Sequence, residues 1–152
     1  MLDPSGYDAG KKVKGRKRHI LVDTLGLLLS VVVHSADIQD RDGAALVLDK
    51  RTRRLFPFIE RIYADGGYQG PRVRAATAKT GTWKIEIVKR SDIAKGFVVL
   101  PKRWVVERTL AWISSNRRMA RDFERYARTV VAIIRLAMIR IMLRRLATTT
   151  SE

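Results

Sequence analysis

Asp65 and Glu107 are the residues of this chain with the strongest claim to chemistry. Asp65 closes an apolar run, Ile62-Tyr63-Ala64, and is followed at once by Gly66-Gly67-Tyr68. Glu107 lies in the helical pattern Arg103-Trp104-Val105-Val106-Glu107-Arg108-Thr109-Leu110, 42 residues later (107 − 65). An acid at a strand end and another on a helix, in so basic a chain, point to metal-assisted attack on a phosphodiester. Two Mg²⁺ ions about 3.5–4 Å apart stabilise the entering and leaving oxygens of such a reaction, and they call for hard oxygen ligands. A strand end offers rigid backbone and an open crevice, and Gly66-Gly67 lets a phosphate chain approach without a Cβ in the way. Each acid also has an ordinary alternative. Asp-Gly-Gly is a common turn, and an exposed Glu can pair with Arg103 or Arg108 for under about 1 kcal/mol.

Helical geometry places Arg103 and Ser114 beside Glu107, with Arg118 three turns further along the same face. The 152 residues carry 31 Lys plus Arg against 15 acids, a net charge of +16. That excess repels itself unless a polyanion offsets it, and nucleic acid is the usual partner. The densest basic run, Lys11-Lys12-Val13-Lys14-Gly15-Arg16-Lys17-Arg18, is the best phosphate-contacting segment; as a bare charge run it carries no sequence specificity. There is no cysteine, which excludes disulfides and thiolate metal sites. The N-terminus lacks a signal-peptide pattern. Arg135, Arg140, Arg144 and Arg145 interrupt the most apolar stretch, Val130 to Leu146, so no comfortable membrane span is expected. A soluble cytoplasmic protein follows from these features.

The elements that must position the two acids read as follows. Residues 1–18 show neither strand nor helix period and are expected to form a flexible basic arm. His19 to Asp23 and Leu27 to His34 make a hairpin around Thr24-Leu25-Gly26. A helix follows that Asp40 or Asp42 can cap, with Ala45, Leu48 and Leu55 on its apolar face. Glu60 to Ala64 is a strand, Arg72 to Lys79 a helix, and Trp83 to Val88 an alternating half-buried strand. A loop with Gly96 and Pro101 leads to a helix of roughly Trp104 to Arg118, whose core stripe is Val106, Leu110 and Ile113. A last helix, about Tyr126 to Leu146, presents Val130, Ile133, Ile134, Ala137, Ile141 and Leu143. At this length one domain, 19–147, is the economical expectation. The order β-β-α-β-α-β-α-α matches an α/β, ribonuclease H-like fold lacking its first, central strand, with an added C-terminal helix. His19 and His34, 15 positions apart (34 − 19), have no supporting metal pair and read as structural. Trp83, Trp104 and Trp112 read as packing residues.

Gly6-Tyr7-Asp8-Ala9-Gly10-Lys11-Lys12-Val13-Lys14-Gly15-Arg16-Lys17-Arg18-His19, Tyr63-Ala64-Asp65-Gly66-Gly67-Tyr68, and Arg103 to Thr109 with Asn116-Arg117-Arg118 together resemble bacterial insertion-sequence DDE transposases. The nearest group is the one named for insertion sequences four and five, and the likeness runs through nearly all of residues 6–146. It implies that Asp65 is the second catalytic aspartate and Glu107 the catalytic glutamate, both ligands of Mg²⁺ or Mn²⁺ in the complete enzyme. It gives Arg103 the role of orienting Glu107 or a phosphate. The family signature expects Tyr where Leu100 stands and Lys where Ser114 stands; Arg117 or Arg118 is positioned to supply the lost charge.

The resemblance also places the first catalytic aspartate on the central strand, upstream of the Gly6 segment. No other acid takes its place by sequence. Asp23 falls at the wrong end of the sheet, and Asp37 lies three strand spacings from Asp65, about 14 Å at ~4.8 Å each. Asp3 and Asp8 belong to the arm. The expected protein is therefore a DNA transposase chain, truncated and inactive alone, acting on terminal inverted repeats and target DNA. Its expected DNA contacts are Lys11, Lys12, Lys14, Arg16, Lys17, Arg18, Arg117 and Arg118. An upstream-frame transposase segment and a homo-oligomer are the further partners expected. The alternative is a non-catalytic DNA-binding remnant that competes with intact transposase.

Overall fold

The computed structural model describes residues 3–81, 83–88 and 102–149, with the side chains of Arg103 and Thr149 excluded. The expected loop with Gly96 and Pro101, and the signature position Leu100, lie outside the described residues. The chain is a mixed α/β structure. Three antiparallel strands, β1 (Gly6–Asp8), β2 (Val13–Val22) and β3 (Leu28–Ser35), form one sheet in the order β1-β2-β3. Helices α1 (Asp40–Val47) and α2 (Lys50–Leu55) follow. Then come β4 (Arg61–Ala64), α3 (Pro71–Thr80) and β5 (Lys84–Ile87), with β4 and β5 paired in parallel as a second sheet. The chain closes with α4 (Arg103–Ser114) and α5 (Ala127–Thr149).

The hairpin pairing Ile20 with Val31 and Arg18 with Val33 sets which side chains share a face. Because strand side chains alternate, Ile20, Val31 and Val33 turn to one side, where they pack with Ile113 of α4 and with Val130, Ile134 and Met138 of α5. Leu21 and Val32 turn to the other, joining Val47 and Leu48 at the end of α1, Ile62 of β4 and Trp83. The hairpin sheet is thus sandwiched between α1 and the α4–α5 pair.

Five expectations are corrected here. Residues 13–18 are strand, not part of a period-free arm: β2 begins at Val13, where Gly15, Lys14 and Val13 pair with Gly6, Tyr7 and Asp8. The basic side chains hid this alternation, because Lys and Arg occupy both faces. The single helix after β3 is two, because the Asp49 carboxylate accepts from the Thr52 backbone N–H at 2.7 Å and starts α2 afresh. The helix bearing Glu107 stops at Ser114, not Arg118. There the Ser115 hydroxyl and the Asn116 amide donate to the Trp112 carbonyl at 2.8 and 3.0 Å, ending the helical ladder. Its buried stripe is Val105, Thr109 and Ile113, with Leu110 exposed, one position off the expected Val106–Leu110–Ile113. On α5, Leu143 is 59% exposed, and with Leu136, Ile139 and Leu146 it lies on an outward apolar stripe.

One buried ion pair ties the start of the chain to its end. The Arg16 side chain is 1% exposed. Its Nε donates to Asp122 Oδ2 at 2.8 Å and its Nη2 pairs with Asp122 Oδ1, while the Glu124 and Arg125 carbonyls accept further bonds. Removing one partner of such a pair strands the other charge, at a cost of about 3–5 kcal/mol. Arg16→Leu should lose about that much stability in urea denaturation, and Asp122→Asn a comparable share; a change under ~1 kcal/mol would contradict the assignment.

Candidate active site

Asp65 sits one residue beyond the C-terminal end of β4, as the cap of a 3₁₀ turn at Gly66–Tyr68. Its Oδ1 accepts the Gly67 N–H at 2.9 Å, which fixes the carboxyl over the turn. A methyl group at Gly67 would meet Asp65 Oδ1 at 3.1 Å and Asp40 Oδ2 at 3.2 Å, so the two carboxylates flank this glycine. Asp40, the first residue of α1, was expected only as a helix cap. The cap position is Gln39, and the Asp40 carboxylate faces Lys17 Nζ at 3.5 Å. Glu107 projects from α4 into the same cleft that Asp65 lines, a space of about 1120 Å³ between β2, β4, α1 and α4. Asp65 and Glu107 are both exposed.

A buried histidine pair supports this corner. The rings of His19 (β2) and His34 (β3) stack at 4.6 Å. His19 Nδ1 shares a hydrogen bond of 2.5 Å with the Tyr68 hydroxyl, and His34 Nδ1 donates to the Ser35 carbonyl at 2.7 Å. Tyr68, three residues after Asp65, is thereby anchored to the hairpin sheet. Burial, followed by the neighbouring charges of Asp40 and Asp65, raises the Tyr68 phenol pKa. Burial, followed by the proximity of His34, pushes His19 down to about 4. Both rings are buried within the fold. Their shared face was legible only through the hairpin register, which sets Lys17 opposite His34 and His19 opposite Val32.

The basic residues divide. Lys11, Lys12 and Lys14 are exposed at the tip of the β1–β2 hairpin, whose turn is held by Asp8 Oδ1 accepting from the Gly10 and Lys11 N–H groups at 3.0 Å each. Lys12 adopts φ 54 there. Arg16 is consumed by its ion pair. Lys17 Nζ donates to the Ile38 carbonyl at 2.9 Å and contacts Asp8 at 3.0 Å. Burial would lower its pKa, but Asp8 and Asp40 outweigh this and hold it above the ordinary value. Arg18 is half-buried and lines the cleft. Arg117 and Arg118 are exposed in a 3₁₀ turn beyond α4, where Arg118 pairs with Glu124. Trp104 and Trp112 hold the Arg108 guanidinium at 4.2 and 4.8 Å from their rings, so they pack a cation, though Trp104 remains 44% exposed. Trp83 is buried.

Residues 3–142 match the family model described as a transposase DDE domain. The chain belongs to the DDE transposase family. A Burkholderia cepacia protein, whose name assigns it as a transposase for insertion sequence element IS402, is 33% identical over 129 residues, 80% of this chain and 60% of its own. The transposase chain thus spans about 60% of the length of this curated relative. No solved structure matches it. DDE domains generally use divalent metal ions. Carboxylate oxygens are the right donors for such an ion, but among the described residues no group of three His, Cys, Asp or Glu is placed to hold one. No helix among the described residues is long and apolar enough to cross a membrane.

Two outcomes follow from the histidine corner. Unfolded histidine titrates near 6.5 and His19 near 4, so the unfolded chain binds the extra proton between these values. Stability should fall as pH drops from about 6.5 to 4, by on the order of 3 kcal/mol. His19→Gln should remove that share of the slope, and an unchanged slope would contradict it. A Cβ at Gly43 would collide with the His19 ring; Gly43→Ala should therefore destabilise the chain by about 1–3 kcal/mol in thermal denaturation.

Proposed function

We propose that this chain is the C-terminal catalytic portion of an insertion-sequence transposase of ribonuclease H-like fold, from the group named for insertion sequences four and five. The observation that carries the proposal is the placement of Asp65 and Glu107 on the walls of one cleft within a matched DDE domain. In the complete enzyme these two acids, with a third carboxylate, hold Mg²⁺ or Mn²⁺. Such an ion, if held there, would supply stabilisation of charge on phosphodiester oxygens, and the DNA acted on would be terminal inverted repeats and target DNA. Arg103 orients Glu107 or a phosphate. The basic segment within residues 1–18 contacts DNA through Lys11, Lys12 and Lys14 at the hairpin tip, with Arg117 and Arg118 as a second patch. The enzyme works in the cytoplasm and assembles as an oligomer on its DNA.

The third carboxylate is not assigned to a residue of this sequence. The net charge of +16 and the exposed lysines of the hairpin tip also suit a second reading: a DNA-binding remnant that competes with intact transposase. An upstream-frame segment distinguishes the two. Fusing an aspartate-bearing strand ahead of Gly6 should yield Mg²⁺-dependent nicking, abolished by Asp65→Ala or Glu107→Ala. Fused chains that fold but never nick would leave only the remnant.

DNA binding itself makes a quantitative test. Replacing Lys11, Lys12 and Lys14 together by alanine should reduce the slope of log K against log salt by about three. An unchanged slope would remove the hairpin tip from the interface.

A further inference from the structure

We infer that the outward face of α5 is a docking seam for an acidic amphipathic helix. The inference goes beyond the function proposed above and does not depend on it, because no residue of α5 lines the cleft.

α5 is apolar on two faces at once. Its inner face, where Val130, Ile134 and Met138 are at most 1% exposed, packs against the hairpin sheet and α4. Its outer face carries Ala132, Leu136, Ile139, Leu143 and Leu146, all exposed. The four larger side chains are between 49% and 65% exposed. A helix that is apolar all round is normally covered all round. Among the described residues no element covers this outer face, and aligned aliphatic side chains left in water mark an interaction site.

The spacing selects the kind of partner. Steps of four, three, four and three residues separate positions 132, 136, 139, 143 and 146. That is the a/d repeat of a helix–helix seam. It is narrower than the broad stripe by which a surface helix meets a core or an interfacial helix enters lipid. α5 also holds no Trp or Phe, the aromatic residues common on interfacial helices. Another helix is therefore the fitting occupant, lying along about 21 Å of α5 at ~1.5 Å per residue.

Charge selects which helix. At about 100° per residue, Arg128 and Arg135 border one side of the seam, and Arg140 and Arg144 the other. All four are exposed, and among the described residues none of them forms an ion pair. Arg145 turns inward instead, onto the Trp112 ring at 4.9 Å. α5 contains no Asp or Glu. A second copy of α5 would thus set arginines against arginines along both flanks, in either orientation, and like charges at that range are destabilising. Nucleic acid would satisfy the arginines but leave the aliphatic seam against phosphate and water. A helix with Leu or Ile at its a and d positions and Glu beside them satisfies both features, because flanking charges set partner choice in such pairs.

The test uses the full chain and a fluorescein-labelled peptide of about 21 residues, three heptads, with leucine at a and d and glutamate at e and g. One control peptide has the same composition in scrambled order, which keeps the charge and removes the seam. A second keeps the seam but carries lysine for glutamate. Fluorescence anisotropy should show saturable binding of the first peptide, and binding at least about tenfold weaker for both controls. The double variant Leu136→Gln, Leu143→Gln alters exposed positions only and should weaken binding by a similar factor. The charge reversal Arg135→Glu, Arg140→Glu should transfer the preference to the lysine peptide, a gain that misfolding cannot produce. Equal binding of the scrambled peptide, indifference to both variants, or no saturable binding would overturn the inference. So would a dimer, seen by sedimentation, that the peptide cannot enter. Binding of the chain to phosphatidylserine vesicles, lost in the double leucine variant and with no binding of the peptide, would assign the seam to a membrane instead.

Discussion

The edge of β2 beyond Gly15 and the edge of β4 away from β5 both border one cleft, and the rest of the structure is arranged around it. A strand edge left to itself exposes N–H and C=O groups that either find water or recruit another strand. Among the described residues the hairpin sheet and the β4–β5 pair do not join into one ladder. They are held at their distance by what packs above and below them. Leu21 and Ile62 share an apolar cluster with the end of α1, and Ile20 and Val31 rest against α4 and α5. One apolar cluster thus joins the two sheets on the α1 side.

That arrangement decides what the acids can do. Asp65 is fixed by a short turn whose Tyr68 is anchored through His19, so its carboxylate stands at the mouth of the cleft. Glu107 reaches the same space from α4. Asp40 comes close on the far side of Gly67 but is shared with Lys17. The basic residues show the same division between scaffold and surface. Arg16 closes the chain onto Asp122 and Lys17 knits β2 to α1, whereas the hairpin tip presents Lys11, Lys12 and Lys14 to solvent. A single charge run thus serves two purposes.

Much of this was legible in the sequence. The β-branched run of β3, the glycines after Asp65 and the apolar periodicity of α5 located their elements to within a few residues. The start of β2 was hidden because cations lie on both of its faces, so no alternation of polarity marks Val13 to Arg18. The α4 stripe was misread by one residue for an instructive reason. Val106 and Leu110 have the composition of core residues, but they face the cleft, while the small polar Thr109 is buried with its hydroxyl on the Gly26 carbonyl at 2.6 Å. The histidine stack needed the register of two strands, which no local pattern supplies. Asp65 and Glu107 were found from residue type and neighbours, but their common cleft depends on helix packing against a sheet edge, a tertiary fact.

Amide hydrogen exchange of the chain by itself tests the central claim most directly, because an open edge leaves alternate groups unprotected along one strand. Along β2, His19 and Leu21 should exchange slowly, bonded to β3, while Arg18 and Ile20 exchange much faster. Slow exchange at all four positions would mean that the edge is already paired, and would contradict an open cleft between the sheets.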